Sequence, residues 1–162
     1  MSRPVSVEDL AERLPAKGRI IGLDLGAKTI GLAVSDVERR LASPLRTLPR
    51  GAFQKDADTL TAIFAEFGIL AIVLGLPLDL EGRDGPRAQS TRAFARNLAT
   101  RTDLPIAYWD ERFSTAVVTR SLIENDVSRA KRAKVVDKLA AAYILQGALD
   151  RLASCARDRS LP

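Results

Sequence analysis

The stretch Ile20–Asp36, IIGLDLGAKTIGLAVSD, decides the fold. Ile20, Ile21 and Leu23 run into Asp24, and Ile30, Leu32, Ala33 and Val34 run out again. Gly26-Ala27-Lys28 makes the turn between them. Two apolar runs either side of a glycine turn read as an antiparallel β-hairpin. The anomaly is Asp24, a charge at the end of an otherwise buried strand. A lone buried carboxylate is costly unless something positive meets it. Gly26 has no Cβ, so a bulky anion can approach the backbone there. Asp and Gly are also ordinary turn residues, and the hairpin alone is equally compatible with a plain turn.

The remaining chain supplies a sheet and its helices. Upstream, Val5–Leu14 has helical spacing, with Ser6 as N-cap and Pro15 as stop. Arg19–Asp24 and Thr29–Ser35 are the hairpin strands, and Leu45–Pro49 is a third. Ala52–Phe67 carries an apolar stripe of Phe53, Leu60, Ile63, Phe64 and Phe67, ended by Gly68. Ile69–Leu74 is apolar on both faces, as in a buried parallel strand. Gly75–Pro86 follows as a long loop whose glycines predict mobility, placed where α/β sheets put ligands. Arg87–Thr100 is a helix and Pro105–Trp109 the last strand. Ser114 or Thr115 caps a helix running to about Glu124. The basic run Ser128–Lys134 leads into a final helix over Lys134–Leu152, with a frayed end at Ser154–Pro162.

This order predicts an α/β fold with a five-stranded mixed sheet flanked by helices, three antiparallel strands followed by two parallel ones. The expected organisation is an N-terminal extension over 1–18, one domain over 19–152 and a tail over 153–162.

Composition narrows the chemistry. The chain has 162 residues, one cysteine (Cys155) and no histidine. Histidine-based triads, imidazole zinc sites and an internal disulfide are thereby excluded. Any metal should be a hard, oxygen-loving ion such as Mg²⁺ or Mn²⁺. No apolar run is long enough to span a bilayer, and the charged start MSRPVSVEDLAERLPAKGR does not read as a signal peptide. The expected location is the cytoplasm, with no membrane partner. A net charge of +5 suits a polyanionic partner.

Three acids stand out by position. Asp24 ends the first strand and Glu111 ends the last. Asp137 shares a helical stripe with Ala141, Ile144 and Ala148, which should face the sheet. If the outer strands are parallel, Asp24 and Glu111 emerge at one edge. Acids gathered there repel unless a cation joins them. Two such cations about 4 Å apart activate a water and stabilise the leaving oxygen of a phosphodiester. Taken singly, Asp137 also suits a helix dipole, and Glu111 a surface ion pair.

GLDLGAKTIGLAVSD, IVLGLPLDLEG, DERFST and KVVDKLAAAYIL, in that order, resemble the YqgF/RuvX family over about Arg19–Asp150. Its members are described as pre-16S rRNA nucleases and as Holliday junction resolvases. The resemblance implies a ribonuclease H-like fold and a metal-dependent nuclease, with Asp24, Glu111 and Asp137 as catalytic acids and metal ligands. The expected work is processing of the 5′ end of pre-16S rRNA; the alternative is resolution of four-way DNA. The expected partner is thus nucleic acid, structured RNA or branched DNA, and a resolvase would need two sites, which leaves a homodimer open.

Basic residues flank the acids in sequence. Lys28, Arg83, Arg87, Arg112, Arg129, Lys131, Arg132 and Lys134 are the expected nucleic-acid contacts. Arg92 and Arg96 are expected on a solvated helix face, and Trp109 in the core. Two rival classes remain. Asp24-Leu25-Gly26 with Thr29 also resembles the phosphate loop of the actin and sugar-kinase superfamily, but such enzymes need two lobes. A non-catalytic RNA-binding assembly factor would keep the fold without the chemistry.

Overall fold

Period-two alternation along the hairpin sends its residues to two faces, and each face meets helices. The structure, a computed structural model, describes residues 3–113 and 129–161; of 129–136 it describes the backbone alone. In chain order the elements are α1 (Val7–Arg13), β1 (Arg19–Leu25), β2 (Thr29–Ser35), β3 (Ala42–Pro49), α2 (Phe53–Phe67), β4 (Ile69–Leu76), α3 (Pro86–Leu98), β5 (Ile106–Asp110), a 3₁₀ turn (Glu111–Phe113) and α4 (Arg129–Ser160). The expected helix from Ser114 or Thr115 to Glu124 lies outside the described residues.

The strands form a five-stranded sheet in the order β3-β2-β1-β4-β5. β1 pairs antiparallel with β2, and β2 with β3; β4 is parallel to both β1 and β5. This is the mixed sheet that the sequence predicts, with its central strand carrying Asp24.

The two faces differ in bulk. Ile21, Leu23, Ile30, Leu32, Ile72 and Leu74 point toward α2 and α3 and pack with Leu60, Phe64, Phe94 and Leu98. Ile20, Ala33, Ala71, Val73 and Ala107 point toward α1 and α4 and pack with Ala141, Ile144, Leu145 and Ala148. α2 ends where Gly68 takes φ 62° and returns its N–H to Phe64 and Ala65, a left-handed cap that favours glycine.

Several boundaries differ from expectation for local reasons. β4 continues through Gly75 and Leu76, because Gly75 pairs with Trp109 and Leu76 with Asp110. The loop after it is tied down rather than loose: Asp79 Oδ1 accepts from the N–H groups of Glu81 at 3.0 Å and Arg83 at 2.7 Å. α4 is described over Arg129–Ser160, so the segment expected to fray is helical. Its C-terminal part gains a partner in α1, whose Val7 and Leu10 share a buried cluster with Leu149 and Leu152. α1 itself starts as predicted, with Ser6 Oγ accepting from Asp9 N–H at 3.0 Å in a capping box. Ahead of it, Val5 donates its N–H to Ile106 at 2.8 Å and bridges the open edge of β5.

Candidate nuclease site

A row of four residues crosses the sheet at one level. Asp24 of β1 is the register partner of Gly31 in β2. On its other side Gly75 follows Leu74, the partner of Leu23, and Gly75 in turn pairs with Trp109 of β5. The row reads Gly31, Asp24, Gly75, Trp109. It faces α4, since a Cβ on Gly31 or Gly75 would meet Asp137 or Ile144.

The two glycines flanking Asp24 make room for the other two acids. A Cβ on Gly31 would lie 2.1 Å from the Asp137 carbonyl oxygen and 3.0 Å from its Cβ. A Cβ on Gly75 would lie 2.7 Å from Glu111 Oε1. Side-chain atoms do not approach so closely, so both acids occupy space that only glycine leaves. Further along, Gly22 admits Leu145 and the Ala141 carbonyl in the same way. The helix therefore rides low on the sheet. Ala141, Ile144 and Ala148 are fully buried beneath it, the face on which the spacing places Asp137.

Burial grades the three carboxylates. Asp24 is 1% exposed and Glu111 9%, while Asp137 is half-buried. The Thr29 hydroxyl donates to Asp137 Oδ2. Thr29 and Gly31 are two apart in β2, so both face α4, one bonding the Asp137 side chain and the other lying under its backbone. The sequence reading did not give Thr29 this role; its signal was a hydroxyl at the first position of a strand, in step with an interior glycine.

The donor set suits a hard divalent ion in kind, because it is all carboxylate. Among the described residues, Asp24, Glu111 and Asp137 included, no group of three His, Cys, Asp or Glu is placed to hold a metal ion, so the three acids are neighbours across the sheet and not a formed ligand cluster.

The expected cations fall into separate groups. Lys28 on the hairpin turn and Arg87 on α3 are exposed. Arg83 is paired with Asp79 and Glu81, each at 3.0 Å, so its charge is met within its own loop. Arg112 is held by Asp110 through Nε at 2.9 Å and Nη2 at 2.6 Å, and its Nη1 donates to Leu80 at 3.4 Å. Asp110 is pushed up by burial, but the Arg112 hydrogen bonds outweigh this and hold it below its ordinary value. Arg112 is raised in return. Arg129, Lys131, Arg132 and Lys134 lie on α4, and their side chains fall outside the described residues.

Two other placements depart from expectation or refine it. Arg92 is not on a free solvated face: it binds Asp84 at 2.5 and 3.1 Å and lies 5.0 Å from the Tyr108 ring centroid. Arg96 is exposed as expected. Trp109 is half-buried, packs under Gly147 and meets Phe113 edge-on at 6.3 Å. Arg50, absent from the expected contacts, clamps the hairpin turn by donating from Nη1 to the Gly26 carbonyl at 2.7 Å.

Comparison with known proteins bears on the family and the fold. A family model described as "RuvX: Holliday junction resolvase" matches residues 18–151. A protein of Bradyrhizobium sp. strain BTAi1, named "Putative pre-16S rRNA nuclease", is 60% identical over 150 residues, covering 93% of each chain. One of the same name from Cereibacter sphaeroides is 57% identical, covering 96% of this chain and 97% of its own. Among solved structures, T. thermophilus RuvC in complex with Holliday junction substrate aligns with TM-score 0.53 at 14% identity, covering 85% of this chain and 97% of that one. The T. thermophilus RuvC structure without that description aligns at 0.51 and 13%, covering 83% and 96%. The fold is thus the ribonuclease H-like fold of these resolvases.

Proposed function

The chain belongs to the RuvX family, and from that membership and the row across the sheet we propose a metal-dependent endonuclease that matures the 5′ end of pre-16S rRNA. The observation that carries the chemistry is the seating of Asp137 and Glu111 over the two glycines that flank Asp24. Family relatives carrying the rRNA nuclease name over nearly their full length favour RNA as the substrate. The reading puts the protein in the cytoplasm; no helix among the described residues is long and apolar enough to cross a membrane.

Asp24, Glu111 and Asp137 would hold Mg²⁺ or Mn²⁺. Bound there, the ion supplies an activated water and a countercharge for the leaving oxygen. The chain's own contribution is placement. Asp24 is fixed by the central strand, Glu111 by the 3₁₀ turn after β5, and Asp137 by the Thr29 hydroxyl and the close helix–sheet contact. Lys28, exposed on the hairpin turn, offers countercharge to the phosphate backbone next to Asp24. Arg129, Lys131, Arg132 and Lys134 add basic charge at the start of the helix that bears Asp137.

A second reading, cleavage of four-way DNA, is favoured by the family model's description. It would require two copies of the site, hence a homodimer. One experiment separates the readings: a labelled precursor fragment spanning the 5′ end of 16S rRNA and a four-way DNA junction are each incubated with the protein and Mg²⁺ or Mn²⁺. Cutting of the precursor at a defined position is the expected result. Cutting of the junction alone transfers the assignment to resolution. Binding of either without cutting overturns the nuclease reading in favour of an assembly factor.

A further inference from the structure

A second basic surface adjoins the hairpin turn. Three shallow cavities open along α2 and α3, and Arg50 lines all of them. The cavity nearest the turn, of about 250 Å³, lies between Leu25–Ala27 and Arg87. It shares Ser90 with a second, which runs to Phe53 and Asn97. The third extends along Lys55 to Thr59. Together they form one branched groove that begins at the turn following Asp24.

The groove's chemistry is cationic with an aromatic floor. Arg50 donates its backbone N–H to Lys28 at 2.8 Å and lies 5.8 Å from the Phe94 ring centroid. Phe94 meets Phe53 edge-on at 5.6 Å. Lys55 and Arg87 are exposed, and neither forms an ion pair among the described residues. Asp56 is the acid in the lining, and its oxygens accept from Gly51 N–H at 3.2 and 3.0 Å. The first turn of α3 carries no acid.

We propose that this groove binds a single-stranded flank of the RNA substrate, with phosphates on Arg50, Lys55 and Arg87 and a base against Phe53. The proposal rests on the nuclease reading for its substrate. Cationic side chains interleaved with aromatic rings are the usual means of holding a single strand. The groove starts at Leu25–Ala27, directly after Asp24 in the chain, on the α2 and α3 side of the sheet.

The test is equilibrium binding, measured by fluorescence anisotropy in EDTA so that nothing is cut. The probes are a labelled RNA hairpin with a single-stranded 5′ or 3′ flank and the same hairpin with a blunt end. The proteins are wild type and the double variant Lys55→Gln, Arg87→Gln, both at exposed positions. The variant's affinity for one flanked probe is expected to fall about tenfold and its salt slope by about 1.4, two contacts at about 0.7 each. Blunt-hairpin binding should be unchanged. Equal loss on flanked and blunt probes, or no loss on either flank, overturns the proposal. Asp24→Asn tests the nuclease reading separately, by cleavage, so the two failures are distinguishable.

Discussion

The two faces of the sheet solve opposite problems. Toward α2 and α3 the strands present leucine and isoleucine, and the helices stand off at the distance those side chains dictate. Toward α4 they present glycine, alanine, Ile20, Val73 and Asp24, and the helix carbonyls of Asp137 and Ala141 come down into space that a Cβ on Gly31 or Gly22 would fill. Bulk on the first face gives stability, since each fully buried Leu or Ile contributes about 1.5–3 kcal/mol. Smallness on the second gives up some of that burial and in return lets acids from distant segments gather beside Asp24. Bulk for stability and the proposed chemistry thus lie on opposite sides of one central strand.

Substitutions on the two faces should separate accordingly. The largest effect belongs to the acids: Glu111→Gln and Asp137→Asn should each lower cleavage about 10²-fold or more, with thermal unfolding little changed. Leu74→Ala, on the bulky face, should cost about 2–5 kcal/mol in denaturant unfolding. Its activity per folded molecule should match wild type. Gly31→Ala should cost about 1–3 kcal/mol through overpacking. It should also lower activity, because a shift of about 1 Å at a reacting group can cost up to 10²-fold. Full activity in Gly31→Ala, or lost specific activity in Leu74→Ala, would break the division between the faces.

The smallest effect concerns Asp110. Its folded-state value is depressed, so its pairing with Arg112 stabilises the fold above the unfolded carboxylate range and is lost as pH falls through the lower folded value. Wild type should therefore melt slightly higher than Asp110→Asn at neutral pH. The gap should close below about pH 3.9. A gap independent of pH would mean that Asp110 acts through packing alone.

The mixed sheet, with its three antiparallel strands and two parallel ones, was legible because its parts leave local marks. Alternation gave the hairpin, a run apolar on both faces gave β4, and a charge at a strand end singled out Asp24. The glycines of the α4 face were less legible. Gly75 follows an apolar run and is itself followed by Leu-Pro, so it reads as the start of a loop until its pairing with Trp109 is seen. The end of α4 was hidden for a related reason. Its last turns are polar around most of their circumference, and what they pack against, α1, lies at the other end of the chain. Which cations are already paired was not legible, since pairing such as Arg112 with Asp110 is decided in three dimensions.

We propose Asp24, between its two glycines, as the point about which phosphodiester cleavage is organised. It is tested most directly by comparing wild type with Asp24→Asn on the labelled 16S precursor in Mg²⁺ or Mn²⁺, at equal folded concentration checked by thermal unfolding. The prediction is defined cleavage by wild type and a loss of about 10²-fold or more in the variant. Equal cutting by the two folded proteins would contradict the account.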